Sequence, residues 1–394
     1  MATALTTTRM LAAAVVALFL AGCSISNQGS GASPARLASP SPTPVNSADT
    51  KAADLRTRLN LLLAEHVMIV VKHSAAAANR SEEQPGYASL LSTNGSALVD
   101  AVGSALGNSA ATQFKQAWDI QNGYFVEYTI GLVTHNDAKA NGAMSGLING
   151  FVPQLSQLVT STTQLPLDPM TQLETQHVLD VKAVIDDQIA QNYAQMYVDL
   201  RTAYARSERI GDALAVRIAQ KFPDKFPGDP STKAVDWRVS LNDLFQEHAY
   251  LATMATDAVV GGRGTERAAA AKAMAANADA LGTVFGDLFG NAVGTQFDQV
   301  WAAKNAALLA YATTGAADAT RALKDTFAAQ FVALVPAAGG LANATASQVT
   351  ATIKVIDDQR SKASALVAND DRTAGSSMEA LADPIVDASA AAKP

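Results

Sequence analysis

The sequence predicts an all-α protein built as two tandem up-down helical bundles of about five to six helices each. Three observations lead there. Apolar residues recur at steps of three and four along most of the chain, and no period-two alternation persists. The composition is rich in Ala and only 6% aromatic, which favours helix over strand. Finally, one phrase is spelled twice: "TQFKQAWDIQN" at 112–122 and "TQFDQVWAAKN" at 295–305.

The duplication is wider than that phrase. "LNLLLAEHVMIVV" (59–71) is answered by "LNDLFQEHAYLAT" (241–253), which matches Leu59, Asn60, Glu65 and His66 to Leu241, Asn242, Glu247 and His248. "NGSALVDAVGSALGN" (94–108) is answered by "NADALGTVFGDLFGN" (277–291), and "VIDDQ" occurs at 184–188 and 355–359. "FVPQLSQLV" resembles "FAAQFVALV", and "ALAVRI" (213–218) pairs with "ALADPI" (380–385). Order is kept while the offset falls from 183 to 167, so the second copy reads as a shortened first. A unit of roughly 170 residues is too long for a solenoid repeat and amounts to a domain written twice.

From the N-terminus, residues 1–22 read as a signal peptide: Arg9, then the apolar run "MLAAAVVALFLAGC", short for a bilayer span. The run ends in Leu20-Ala21-Gly22-Cys23, which resembles the bacterial lipobox. That resemblance implies cleavage after Gly22 and a diacylglycerol thioether on Cys23. Cys23 is the single Cys of the chain, so stability must come from core burial rather than internal disulfides. Residues 23–50 are Ser, Pro, Gly and Ala with few large apolar groups; they read as a tether with a reach of about 30 Å.

Bundle copy 1 covers 51–222. Its helices are expected at about 52–78, 87–106, 109–133, 137–163, 168–189 and 193–220, with Gly107 as a stop and Asn136 opening the fourth. A linker follows at 223–236, where the two Phe-Pro pairs suggest that Phe222 and Phe226 plug the first bundle's end. Bundle copy 2 covers 237–389.

Polar residues interrupt the apolar stripes at equivalent steps. His66 sits in the stripe of the first helix, Asn94 in the second and Asn122 in the third; His248, Asn277 and Asn305 repeat them. A buried amide without a partner costs roughly 1–3 kcal/mol, so each trio is expected to meet across three helices. Two readings stay open: a hydrogen-bond network that fixes helix register, and a site for a metal ion or small ligand. One imidazole with two carboxamides is a poor shell for zinc or copper. Glu65 and Glu247 point about 100° away from the His stripe and are expected in solvent. The Asp186-Asp187 and Asp357-Asp358 pairs diverge on their helix, His135 lies in a turn and is expected in solvent, and His177 has no counterpart in the second copy. No nucleophile elbow, phosphate loop or dinucleotide fingerprint is present.

The order "LxxLxxEHxxL", an Asn-led helix, "QFxxxWxxxN", "IDDQ" and "KFPDKF" resembles a family of secreted bacterial tandem helical proteins, some of which carry a copper amine oxidase-like label. The family places His where this chain has Asn122 and Asn305, so the resemblance brings no copper triad. A net charge of -7, or -8 once the segment with Arg9 is removed, without a basic cluster, argues against nucleic acid. The expectation is therefore an extracytoplasmic protein anchored to the cell membrane by a lipid. It is expected to bind or scaffold an envelope protein or small ligand, without catalysis and without a cofactor. The alternative is a transition metal or small ligand held at His66 or His248.

Overall fold

Thr50 opens the first helix. Its side chain accepts from the Ala53 amide, which satisfies one free donor of the N-terminal turn, and α1 runs Lys51–Ala78. The computed structural model describes residues 48–392, and all regular elements among them are helical: the chain is all-α. The signal segment, Cys23 and the tether as far as residue 47 lie outside the described residues.

The first half continues with α2 (Gln84–Leu106), α3 (Asn108–Val133), α4 (Asp137–Gly146), α5 (Val152–Thr163), α6 (Leu167–Ile189) and α7 (Tyr193–Lys221). The second half holds α8 (Lys233–Val260), α9 (Gly264–Phe289), α10 (Asn291–Thr314), α11 (Ala317–Arg321), α12 (Ala328–Leu334), α13 (Leu341–Ser361), α14 (Ser364–Ser377) and α15 (Glu379–Ala392). Each half breaks its fourth helical stretch with a π-helical segment, Leu147–Phe151 and Ala322–Phe327. The duplication thus extends to an irregularity that periodicity does not reveal. Gly107 and Gly290, both at φ 94°, turn the chain between equivalent helices at an angle that a side chain would strain.

The two halves do not stand apart. α1 packs along α8, the two equivalent helices forming the centre of one continuous core. Ion pairs cross that contact reciprocally. Arg56 Nη1 donates to Asp236 at 2.7 Å, and its counterpart Arg238 donates to Asp54 at 2.6 Å. Within each half the same two guanidiniums pair with Asp212 (2.6 Å) and Asp383 (2.7 Å). The halves are therefore related by an approximate two-fold axis between α1 and α8.

These pairs also correct the alignment of the last helices. Asp212 answers Asp383, so the offset there is 171, as for "VIDDQ", and "ALAVRI" does not lie opposite "ALADPI". Helix α7 spends its N-terminal half against α9 of the other copy, and α14 lies on α2 in return. Each half thus closes the other. Gly211 marks where α7 crosses α1: a β-carbon there would sit 2.2 Å from Asn60 Oδ1. Phe222 and Phe226 do plug one end, packing on Leu55, Leu59 and Ile218.

Candidate functional site

The His-bearing interior comes first, because α1 and α8 present His66 and His248 to α3 and α10. His66 Nε2 donates to Asn122 Oδ1 at 2.7 Å, and the imidazole lies 4.7 Å from the Trp118 ring. In the second half Trp301 Nε1 donates to His248 Nδ1 at 3.1 Å, with the rings 4.9 Å apart. Both imidazoles are fully buried, and burial holds them neutral, His66 at about 4 and His248 well below the ordinary value.

Asn94 does not join His66. Its amide donates to the Leu62 carbonyl (2.9 Å) and to Glu65 Oε2 (2.8 Å). Asn277 repeats this with the Leu244 carbonyl (2.9 Å) and Glu247 Oε2 (2.7 Å), although it also lies beside His248. The predicted trio thus divides into a His–Asn122 pair and an Asn–Glu pair, and the second half keeps only the latter contact at hydrogen-bond distance: Asn305 Oδ1 has no partner.

Glu65 and Glu247 are buried, not solvated as the helical wheel suggested. Beyond their first turns α1 and α8 are covered on all sides, so around Glu65 and Glu247 there is no solvent face for the carboxylates to occupy. The run of apolar residues all round the helix at Leu61–Leu63 and Val67–Val71 was the signal for this. Glu65 also accepts from Tyr250 Oη (3.0 Å) and from Arg372 Nε (3.2 Å), both of the other half. Glu247 is clamped by Arg201 at 2.8 and 3.3 Å, again from the other half. Arg201 and Arg372 are equivalent residues, so a second reciprocal exchange joins the halves.

The Asp pairs do structural work. Tyr128 Oη donates to Asp186 at 2.5 Å, and Tyr311 Oη to Asp357 at 2.7 Å, tying α3 to α6 and α10 to α13. His135 is exposed in its turn, while His177 is buried and lies 3.4 Å from Ser207 Oγ.

The interiors around these shared features differ. The first half buries Gln121, Glu174 and His177; the second has Lys304, Thr345 and Gln348 at those positions. Burial pushes the Glu174 carboxyl up to about 8. It also pushes the His177 imidazole down to about 3, with smaller contributions from His66 and Arg206. Lys304 Nζ has no hydrogen-bond partner and lies 3.8 Å from the Trp301 ring centre and 5.1 Å from that of Phe327. Burial holds it well below the ordinary lysine value. Lys304 and Glu174 each occur in one copy only, so the pattern that the two copies share does not mark them.

A surface groove of about 640 Å³ runs between α7 and α9, along the seam of the two halves. Tyr197, Val198 and Ala273 supply apolar lining; Arg201, Arg206, Arg209 and Lys272 supply charge, and no carboxylate lines it. A smaller groove of about 380 Å³ lies beside Arg372, but there Arg58, Arg238 and Arg372 are balanced by Asp54, Glu65 and Glu379.

Among the described residues no group of three or more His, Cys, Asp or Glu side chains is placed to hold a metal ion. No protein-family model, curated protein or solved structure matches the chain.

Proposed function

We propose that this is a membrane-tethered, extracytoplasmic binding module without catalytic activity, and that the α7–α9 groove is its binding face. The observation that carries the reading is the groove itself. It has the size of ligand sites and an apolar lining, and of its four cations Arg201 and Arg206 pair with Glu247 and Asp180 while Arg209 and Lys272 make no ion pair among the described residues. It lies where the two copies meet, so neither copy alone would form it.

The buried His66 and His248 clusters support structure rather than capture. Each brings one imidazole to one neutral partner, and neither side chain reaches solvent. A transition metal or small ligand at either His would need further donors that the described residues do not place there.

The tether rests on Leu20–Cys23. Cys23→Ala is expected to move the protein from the membrane fraction to the soluble fraction; continued membrane retention would end that part of the proposal. The binding face is tested by Arg209→Glu with Lys272→Glu. Both residues are exposed, so the fold should persist, measured by an unchanged melting temperature. Loss of a co-purifying ligand or partner supports the groove, and full retention refutes it.

A further inference from the structure

Carboxylates outnumber cations where α7 of the first half meets α8 of the second. Asn60 of α1 stands between the two helices: its amide donates to Asp212 Oδ1 at 3.0 Å and to Asp243 Oδ2 at 3.3 Å. Tyr204 Oη lies 2.9 Å from the Asp243 carbonyl oxygen and 3.0 Å from Gln246 Oε1, so α7 hangs on α8 within a turn of Asp243. The cations at this contact are already matched. Arg56 of α1 pairs with Asp212 and Asp236, and Arg201 of α7 with Glu247. From α6 comes Asp180, held by Arg206; from α9 come Lys272 at the groove and the neutral Asn277, which donates to Glu247.

Asp243 and Glu208 are left over. Asp243 is 4% exposed, and its Oδ1 has no partner. Glu208 is half-buried one turn before Asp212, and its carboxyl makes no hydrogen bond or ion pair among the described residues. A buried carboxyl without a counter-charge favours its protonated form. Burial pushes Asp243 well above the ordinary 3.8, with Asp212 and Glu247 adding and Asn60 and Arg56 opposing. Burial likewise pushes Glu208 well above 4.5; the charges of Asp243, Glu247 and Asp212 add, and Arg209 opposes. The other side of the two-fold axis lacks the pair. Glu379 answers Glu208, but Leu61 answers Asp243. Asn242, which answers Asn60, turns its amide to the Arg238 carbonyl of its own helix at 2.9 Å.

We infer that Glu208 and Asp243 form a proton-operated clasp between the halves, on this side only. While the pair holds a proton, α7 rests against α1 and α8. When the proton leaves, two carboxylates without a cation face the contact and push α7 from it. Both folded values lie above the unfolded ones, so the clasp's stabilisation is complete below 3.8 and is lost as pH rises. It closes in acid and opens towards alkaline pH, whatever occupies the α7–α9 groove.

The test is a carboxyl-carbon NMR titration of the full-length protein, paired with hydrogen exchange. One carboxyl of the pair should keep its proton well above 4.5 in the native protein. Asp243→Asn should lower the Glu208 midpoint by about one pH unit or more. Exchange reads the movement. Between mild acid and alkaline pH, amides 204–212 should gain about tenfold in rate over the equivalent amides 375–383, a ratio that cancels the ordinary base catalysis of exchange. Asp243→Asn should abolish that gain, and so should Asp243→Leu, which installs the other half's residue; either variant serves if one fails to fold. A native Glu208 midpoint at or below 4.5, a midpoint unmoved by Asp243→Asn, or an exchange ratio that does not change with pH overturns the inference. A ratio that changes equally in native and variant proteins also overturns it, by assigning the opening to other groups.

Discussion

The two halves of this protein have the same helices, the same π-helical break and the same interlocking ion pairs, yet their interiors have parted. The first half buries Gln121, Glu174, His177 and Ser156; the second buries Lys304 against the Trp301 and Phe327 rings. Ser156 answers Val332 and Ser207 answers Met378. Four ion pairs that join one half to the other persist, Arg56–Asp236 with Arg238–Asp54 and Arg372–Glu65 with Arg201–Glu247, and so do the pairs Arg56–Asp212 with Arg238–Asp383 and Tyr128–Asp186 with Tyr311–Asp357 inside the halves. Not every contact between the halves is shared: Lys72 pairs with Asp371 across them, and the equivalent positions hold Met254 and Leu200. The external surface differs too. At the α2–α14 seam Gly86 approaches Ala368 so closely that a β-carbon would lie 3.1 Å from it, whereas the α7–α9 seam leaves the cationic groove.

The comparison is broken hardest at the shared carboxylates. Glu65→Ala leaves Asn94, Tyr250 and Arg372 without their buried acceptor and is expected to cost about 3–5 kcal/mol in urea denaturation. Glu247→Ala should fall in the same range. A cost below about 1 kcal/mol for either would show that the exchange does not hold the halves together.

Next comes the residue unique to the second half. Lys304→Met removes an unpartnered buried amine and should stabilise the fold at pH 7 by a few kcal/mol, read as a higher melting temperature. The amine's folded value lies below its unfolded value, so the unfolded chain binds more protons at neutral pH. In the native protein, stability should therefore climb as pH rises towards 10.5, and Lys304→Met should flatten that climb. An unchanged pH dependence would contradict the buried placement.

Glu174 works in the opposite sense. Its folded value, about 8, lies above the ordinary 4.5, so the native state holds a proton that the unfolded chain releases. Its contribution is complete below pH 4.5 and is lost as pH rises to about 8, with a slope of at most about 1.4 kcal/mol per pH unit. Glu174→Gln should abolish that slope. His177→Gln, which installs the second half's residue, should relieve the acid-side loss that develops as pH falls from 6.5 towards about 3. Equal slopes in native and variant proteins would remove either residue from the titrating interior.

The smallest effects test what the halves still share within themselves. Tyr128→Phe and Tyr311→Phe each delete one hydroxyl bond to an Asp and should cost about 0.5–1.5 kcal/mol apiece. A much larger loss at one of them would mark a difference between the halves that the matched geometry conceals.

Much of the architecture was legible before any coordinates. Helical spacing, Gly107 and Asn136 placed the first-half helices to within a few residues, and the repeated phrases announced the second half. The recurring His and Asn residues were legible too: His66, Asn94, His248 and Asn277 are buried, and Asn122 and Asn305 half-buried. Their partners were not. Asn94 turned to Glu65, and Glu65 turned inward, because α1 is enclosed by the other copy as well as by its own.

By itself, then, the sequence determined helix, repeat, helix ends and which faces are apolar. These depend on residues within a turn or two of one another, where spacing is information enough. Tertiary structure alone decided that the halves interlock, that Glu65 and Glu247 are buried, that Lys304 sits among rings and that a cationic groove opens between α7 and α9. Each of those depends on how one helix meets another far away in the chain, and a one-dimensional pattern carries no distance between them.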